Sequence, residues 1–130
     1  MTYYFSKILN GKSFDDAIEL VTVELKKEGF GVLTEIDVKE TLKRKIDVDF
    51  KKYKILGVCN PQFAYKALQS EDKIGVFLPC NVVVEETLNG DVEVTAVDPI
   101  ASMIAVKNDA LATVASEIQQ KLKRVIENCQ

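Results

Sequence analysis

Two stretches far apart in this chain are apolar along one side of a helix and polar around the rest. Phe14, Ile18, Val21 and Leu25 recur at helical spacing in the first; Leu111, Val114, Ala115, Ile118, Leu122 and Val125 do so in the second. A helix of this kind has to lay its stripe on an apolar surface. The chain between them supplies one, as several short β-branched runs. In "DVEVTAV" (91–97), Val92, Val94 and Ala96 share one face, with Glu93 and Thr95 on the other. Two long helices and one apolar sheet face give a two-layer α+β domain with a largely antiparallel sheet. The expected order is strand, helix, four strands, helix, with short helical insertions.

Local signals set the boundaries. "TYYFSKIL" (2–9) reads as a strand, followed by a turn at Asn10-Gly11. Ser13 is a good N-cap, Asp16 completes a variant of the capping box, and Gly29 stops the first helix. "GVLTEIDV" (31–38) is a second strand, and Asp37 with Glu40 caps a short helix over 38–45. "IDVDFKKY" (46–53) is extended, as a strand or a connecting loop. "YKILGV" (53–58) is a third strand. Asn60 is then a preferred N-cap and Pro61 suits the first helical position, so "CNP" marks a strand-to-helix junction. "IGVFLPCNVVVEETL" (74–88) reads as a fourth strand, in which Pro79 implies an edge, a bulge or a break. Asn89-Gly90 is a hairpin turn into the fifth strand. Asp98-Pro99 opens a short helical turn, and the last helix covers 109–127.

A chain of 130 residues suits one domain, 1–130, and can bury a core without disulfides or metal. Its net charge of -3, mixed along the chain, opposes an electrostatic nucleic-acid binder. The basic runs "LKRK" (42–45) and "KLKR" (121–124) read as solvated helix ends. The N-terminal residues lack the pattern of a secretory signal, and no apolar run reaches the roughly 20 residues that span a bilayer. With an odd cysteine count of 3, this points to a reducing cytoplasmic setting, no membrane partner and no disulfide framework.

The paired segments "GVCNP" with "AYKAL", and "IGVFLPCNVVV", followed by a hairpin and "VEVTAVDP", resemble the signature of domain-of-unknown-function family 302. "EGFGVLTEIDVKETLK" (28–43) is also similar to that family, so the resemblance covers nearly the whole chain. It implies a fold like one half of a TATA-binding-protein-like domain, and a homodimer. It implies no biochemical role, and a topology shared with a DNA-binding fold does not carry function across.

Chemistry is bounded by absences. With 0 histidines there is no histidine triad and no ordinary general base near neutral pH. Nucleotide-binding glycine motifs and C-x-x-C are missing, and three cysteines fall short of a structural zinc set. No cofactor is expected. What remains is two Cys-Asn pairs, Cys59-Asn60 and Cys80-Asn81, which form a candidate ligand-binding site. The cysteines are either two thiols of a redox, sulfur or metal-handling site, Cys59 being activated by the helix start beside it, or small buried apolar residues next to turns. Asn60 either binds a ligand or caps its helix; Asn81 either binds a ligand or ties down the break at Pro79. Tyr65 reads as a core residue with a wet tip, Asp98 as a cap, and Glu85 with Glu93 as a solvated hairpin face. Cys129 reads as incidental. A crossover as short as 60–73 should keep Cys59 and Cys80 on neighbouring strands, beside a small concavity for a polar or anionic group. The leading expectation is a homodimeric binding or interaction domain without catalysis of its own. Outward-facing Val83 and Val97 suggest that a partner copy covers part of the sheet.

Overall fold

The computed structural model describes residues 2–130. Its order is β1 (Tyr4–Leu9), α1 (Phe14–Lys27), β2 (Gly31–Asp37), α2 (Val38–Ile46), β3 (Tyr53–Cys59), α3 (Pro61–Ser70), a 3-10 helix (Asp72–Phe77), β4 (Cys80–Glu86), β5 (Val92–Val97), α4 (Pro99–Ser102) and α5 (Asp109–Asn128). The described residues form a five-stranded sheet ordered β1-β5-β4-β3-β2, in which every neighbouring pair is antiparallel. The α+β class and the antiparallel sheet are as the sequence predicts.

The stripes fold as their spacing dictates. Val21 and Leu25 of α1, and Leu122 and Val125 of α5, are all 0% exposed against Val82, Val84, Val94 and Ala96 of the sheet, also at 0%. Burying a Val or Leu side chain contributes about 1.5–3 kcal/mol, so this layer dominates stability. The other sheet face carries Ile55, Val83, Thr95 and Val97 half-buried, with Ile8 and Ile36 exposed. Glu85 sits directly opposite Glu93 on that face, and Lys51 Nζ answers Glu85 at 2.6 Å. That hydrogen bond holds the lysine pKa above its ordinary value.

The ends of the elements are also those that local chemistry selects. Ser13 Oγ accepts from the Asp16 amide at 3.1 Å, and Asp37 Oδ1 from the Glu40 amide at 3.0 Å. Past α1 the Gly29 amide reaches Lys26 O at 3.0 Å and the Phe30 amide reaches Leu25 O at 2.9 Å. This is a Schellman stop, with Gly29 in the left-handed region at φ +88°. Residues 47–52 between α2 and β3 lie outside helix and strand, which resolves the open choice at 46–53 in favour of a loop.

Three expectations need correction. Tyr65, read as a core residue with a wet tip, is 64% exposed on α3. The fourth strand does not begin at Ile74. Residues 72–77 coil into the 3-10 helix, burying Ile74 at 1% while Val76 and Phe77 face out. A β-branched run there follows the three-residue period of a turn off α3 rather than the two-residue period of a strand. The ladder starts at Cys80, after a Pro79 that has no N–H to give it and a cis Leu78–Pro79 bond. Cys129 is not incidental either. It is 0% exposed within the main core, and its Sγ lies 3.2 Å from Val125 O.

Candidate functional site

β3 ends at Cys59 and β4 begins at Cys80, and the register sets Val58 opposite Cys80. The two cysteines therefore stand at the same end of adjacent strands, where α3 leaves the sheet. Above that end α3 and α5 do not close on each other. Between them lies a cavity of about 320 Å³. Its floor is Val58, Cys59 and Cys80; its walls are Phe63, Ala64 and Ala67 of α3 and Leu111, Ala115 and Ile118 of α5. Phe30, placed by the Schellman stop, and Met103, at the end of α4, close two sides.

The packing explains why a space remains. Below the cavity is the main core; above it, Ala67, Ile74, Met103, Leu111 and Ala115 form a separate buried cluster. Polar ties fix the frame that holds the two apart. Asn108 caps α5 by accepting from the Ala110 amide at 3.1 Å, and its Nδ2 donates to Ser70 O at 2.7 Å, joining the end of α3 to the start of α5. Asp98 accepts from the Ile100 amide at 3.0 Å, as its reading as a cap requires. It also accepts from Gln119 Nε2 at 3.1 Å, joining α4 to α5. Small side chains at Ala64, Ala67 and Ala115 then leave the gap unfilled.

The four candidate residues separate. Cys59, Asn60 and Cys80 border the cavity. Asn81 does not: one position further along β4, it is exposed on the opposite sheet face, opposite Gly57. There it borders a second hollow with Phe77, Pro79 and Val97, which Cys80 also reaches at its edge. The period of two along a strand separates Cys80 from Asn81 as soon as the strand begins. Asn60 occupies the N-cap position of α3 but, among the described residues, its side chain makes no capping bond. Its Nδ2 donates instead to Glu28 O at 3.3 Å, a carbonyl at the end of α1 with no partner inside its helix. A Cβ at residue 29 would come within 2.9 Å of that amide, a second reason for Gly29.

The thiols are free, and their environment suppresses ionisation. Burial raises the Cys59 pKa above its ordinary value. Burial, with a smaller contribution from Cys59, pushes Cys80 up to about 11. The activation that the helix start offers Cys59 is outweighed by loss of water. Near neutral pH both are protonated, weakly polar wall atoms. Among the described residues no group of three or more His, Cys, Asp or Glu side chains is placed to hold a metal ion, and no helix is long and apolar enough to cross a membrane.

Sequence reasoning found the floor of the site and missed its walls. Phe63, Leu111 and Met103 come from three elements whose approach no local pattern announces. One signal was present: the apolar stripe of α5 continues to Leu111, beyond what the sheet covers, and α3 carries its own short stripe through Ala64, Ala67 and Leu68.

Comparison with known proteins agrees with this architecture. The family model described as "Domain of unknown function DUF302" matches residues 5–129. No curated protein matches. The fold is similar to the crystal structure of an uncharacterized conserved protein DUF302 from Bacillus stearothermophilus. The TM-score is 0.92 at 31% sequence identity, with 100% of both chains covered.

Proposed function

The chain belongs to the DUF302 family, whose description assigns no biochemical role, and from that premise we propose that it is a homodimeric binding domain of the cytosol, without catalysis of its own. The observation that carries this reading is the apolar cavity of about 320 Å³ at the junction of α3, α5 and the ends of β3 and β4. Its size falls at the lower end of small-molecule sites, about 300–1,000 Å³, and its lining is of the apolar kind such sites favour. Cys59 and Cys80 serve as protonated lining rather than as nucleophiles, and Asn60 as a tie to α1. A thiol-dependent function is the weaker reading, because burial moves both pKa values away from the reactive range. Free, unbridged cysteines fit a reducing compartment.

The partner copy has a surface of its own. Ile8 and Ile36 are exposed, and Val83 and Val97 half-buried, on the sheet face that the helices leave uncovered. A two-fold partner there would bury them without touching the cavity. Light scattering at micromolar concentration should give twice the chain mass, and Val83→Lys should halve it. A monomer in both cases removes the dimer from this reading.

Benzene is a suitable first probe of the cavity, since dry apolar cavities admit it. Amide spectra titrated with benzene should shift at Phe63, Cys80 and Ala115 and stay still on β1 and α2. Shifts scattered over the surface, or none, would sink the binding-domain reading.

A further inference from the structure

The cavity wall is apolar apart from Asn60 and the two thiols, and charge stands beside it at one place. Phe63, which forms part of it, carries two ammonium groups beside its ring: Lys66 Nζ is 5.2 Å from the ring centroid and Lys121 Nζ is 5.8 Å. Lys66 is exposed and the Lys121 side chain is 28% exposed; neither borders the cavity itself, and both stand beside the ring that does. The acid of the neighbourhood is already engaged. Glu28 Oε1 is bound by Arg124 at 3.0 Å and stands 3.9 Å from Lys121, too long for a strong bond. Two lysines and an arginine against one glutamate make this rim locally positive on a chain of net charge -3. A site with an apolar interior and a cationic edge complements a molecule with the opposite arrangement.

We propose that the cavity takes a straight-chain amphiphile with an anionic head, such as a medium-chain carboxylate. This rests on reading the cavity as a binding site. The tail lies between Ala64 and Ala67 of α3 and Leu111 and Ala115 of α5. The head lies outside Phe63, against Lys66 and Lys121. A space of about 320 Å³ lies at the lower end of small-molecule sites, which suits a short tail such as that of octanoate. The small side chains at Ala64, Ala67 and Ala115 leave room for an unbranched chain. The thiols suit this occupant as well, since protonated Cys59 and Cys80 do not repel an anion at pH 7.

The test compares probes that share a tail and differ in head: octanoate, octanol and octylamine, titrated calorimetrically into the intact protein at low salt. Octanoate should bind about tenfold more tightly than octanol, and octylamine more weakly than either, as two partly exposed ion pairs would give. The double variant Lys66→Gln with Lys121→Gln should bring octanoate and octanol within about twofold of each other and leave octanol unchanged. Ala64→Phe fills the slot and should abolish all binding. Val114→Phe, on the facing helix, takes its place if the first variant loses its helical signal. If octanol binds wild type as tightly as octanoate, and the filling variant abolishes both, the head-group inference is overturned while the cavity remains a site. If no probe binds, or binding survives the filled slot, both fall together.

Discussion

Among the described residues two apolar clusters share one helix, and they are built differently. The C-terminal half of α5 places Leu122 and Val125 on the sheet at 0% exposure. The N-terminal half places Leu111 and Ala115 beside α3 and α4, above a void of about 320 Å³. In the main core the facing surface is a pleated sheet whose β-branched residues repeat at fixed spacing, so side chains interdigitate to crystal-like density. In the smaller cluster the facing surface is a short helix, a 3-10 turn and a four-residue helix, held by caps at Asn108 and Asp98 rather than by area. Regular strands close a layer completely; irregular insertions tied by hydrogen bonds hold a frame open. A ligand site is affordable in the second region because the first carries the stability.

The sharpest way to break this comparison is to remove mass from the dense region. Leu122→Ala should cost about 2–5 kcal/mol in denaturant unfolding. A cost below about 1 kcal/mol would show that the main core is as loosely packed as its neighbour.

A smaller effect comes from pH and separates the regions by chemistry. Cys80 at the cavity floor and Cys129 in the main core are both raised from the ordinary 9.0 to about 11, mainly by burial. Glu24 raises Cys129 further and Lys7 opposes it. Between these values the folded protein keeps each proton and the unfolded chain loses it. The stabilisation is thus complete below pH 9, and it is lost as pH rises through 11. Each thiol accounts for up to about 3 kcal/mol between the two limits. Replacing Cys80 with Ala should flatten the alkaline decline measured by chemical denaturation, while the Cys129→Ala variant should also lose stability at pH 7 by opening a hole in the core.

The finest test adds atoms instead. Ala17→Leu, in the main core at 0% exposure, should cost about 1–3 kcal/mol through overpacking. The same exchange at Ala115, against the void, should change stability by less than about 1 kcal/mol of either sign. Equal costs at the two alanines, read by thermal and urea melts, would erase the distinction.

Much of the dense region was legible beforehand, because it obeys periodicities. The stripes of α1 and α5, the caps at Ser13 and Asp37, and the stop at Gly29 are local rules that tertiary contacts reinforce. What escaped is what local rules do not contain. The run at 74–77 has strand composition, yet the return from α3 winds it into a turn around buried Ile74. Asn60 looks like a cap, yet the C-terminal end of α1, which arrives from another part of the chain, competes for its amide. Cys80 and Asn81 look like one unit, yet alternation along β4 sends them to opposite faces. The walls of the site were hidden for the same reason: they meet only after four separate segments have docked.

The strand order carries a consequence for the timetable of synthesis. β1 lies at the sheet edge and among the described residues its only strand neighbour is β5, through a register that runs from Tyr4 opposite Val97 to Leu9 opposite Val92. Within this sheet the first strand to leave the ribosome thus waits for the last. At about 5–20 residues per second that wait lasts several seconds, whereas β2, β3 and β4 can pair as each emerges. During the interval β1 offers Tyr4, Phe5 and Ile8 along an unpaired edge, the kind of segment that chaperones hold and that aggregates recruit. Slowing translation should therefore endanger the nascent chain at β1, and moving β1 behind β5 by circular permutation should shorten the exposure without altering the finished sheet.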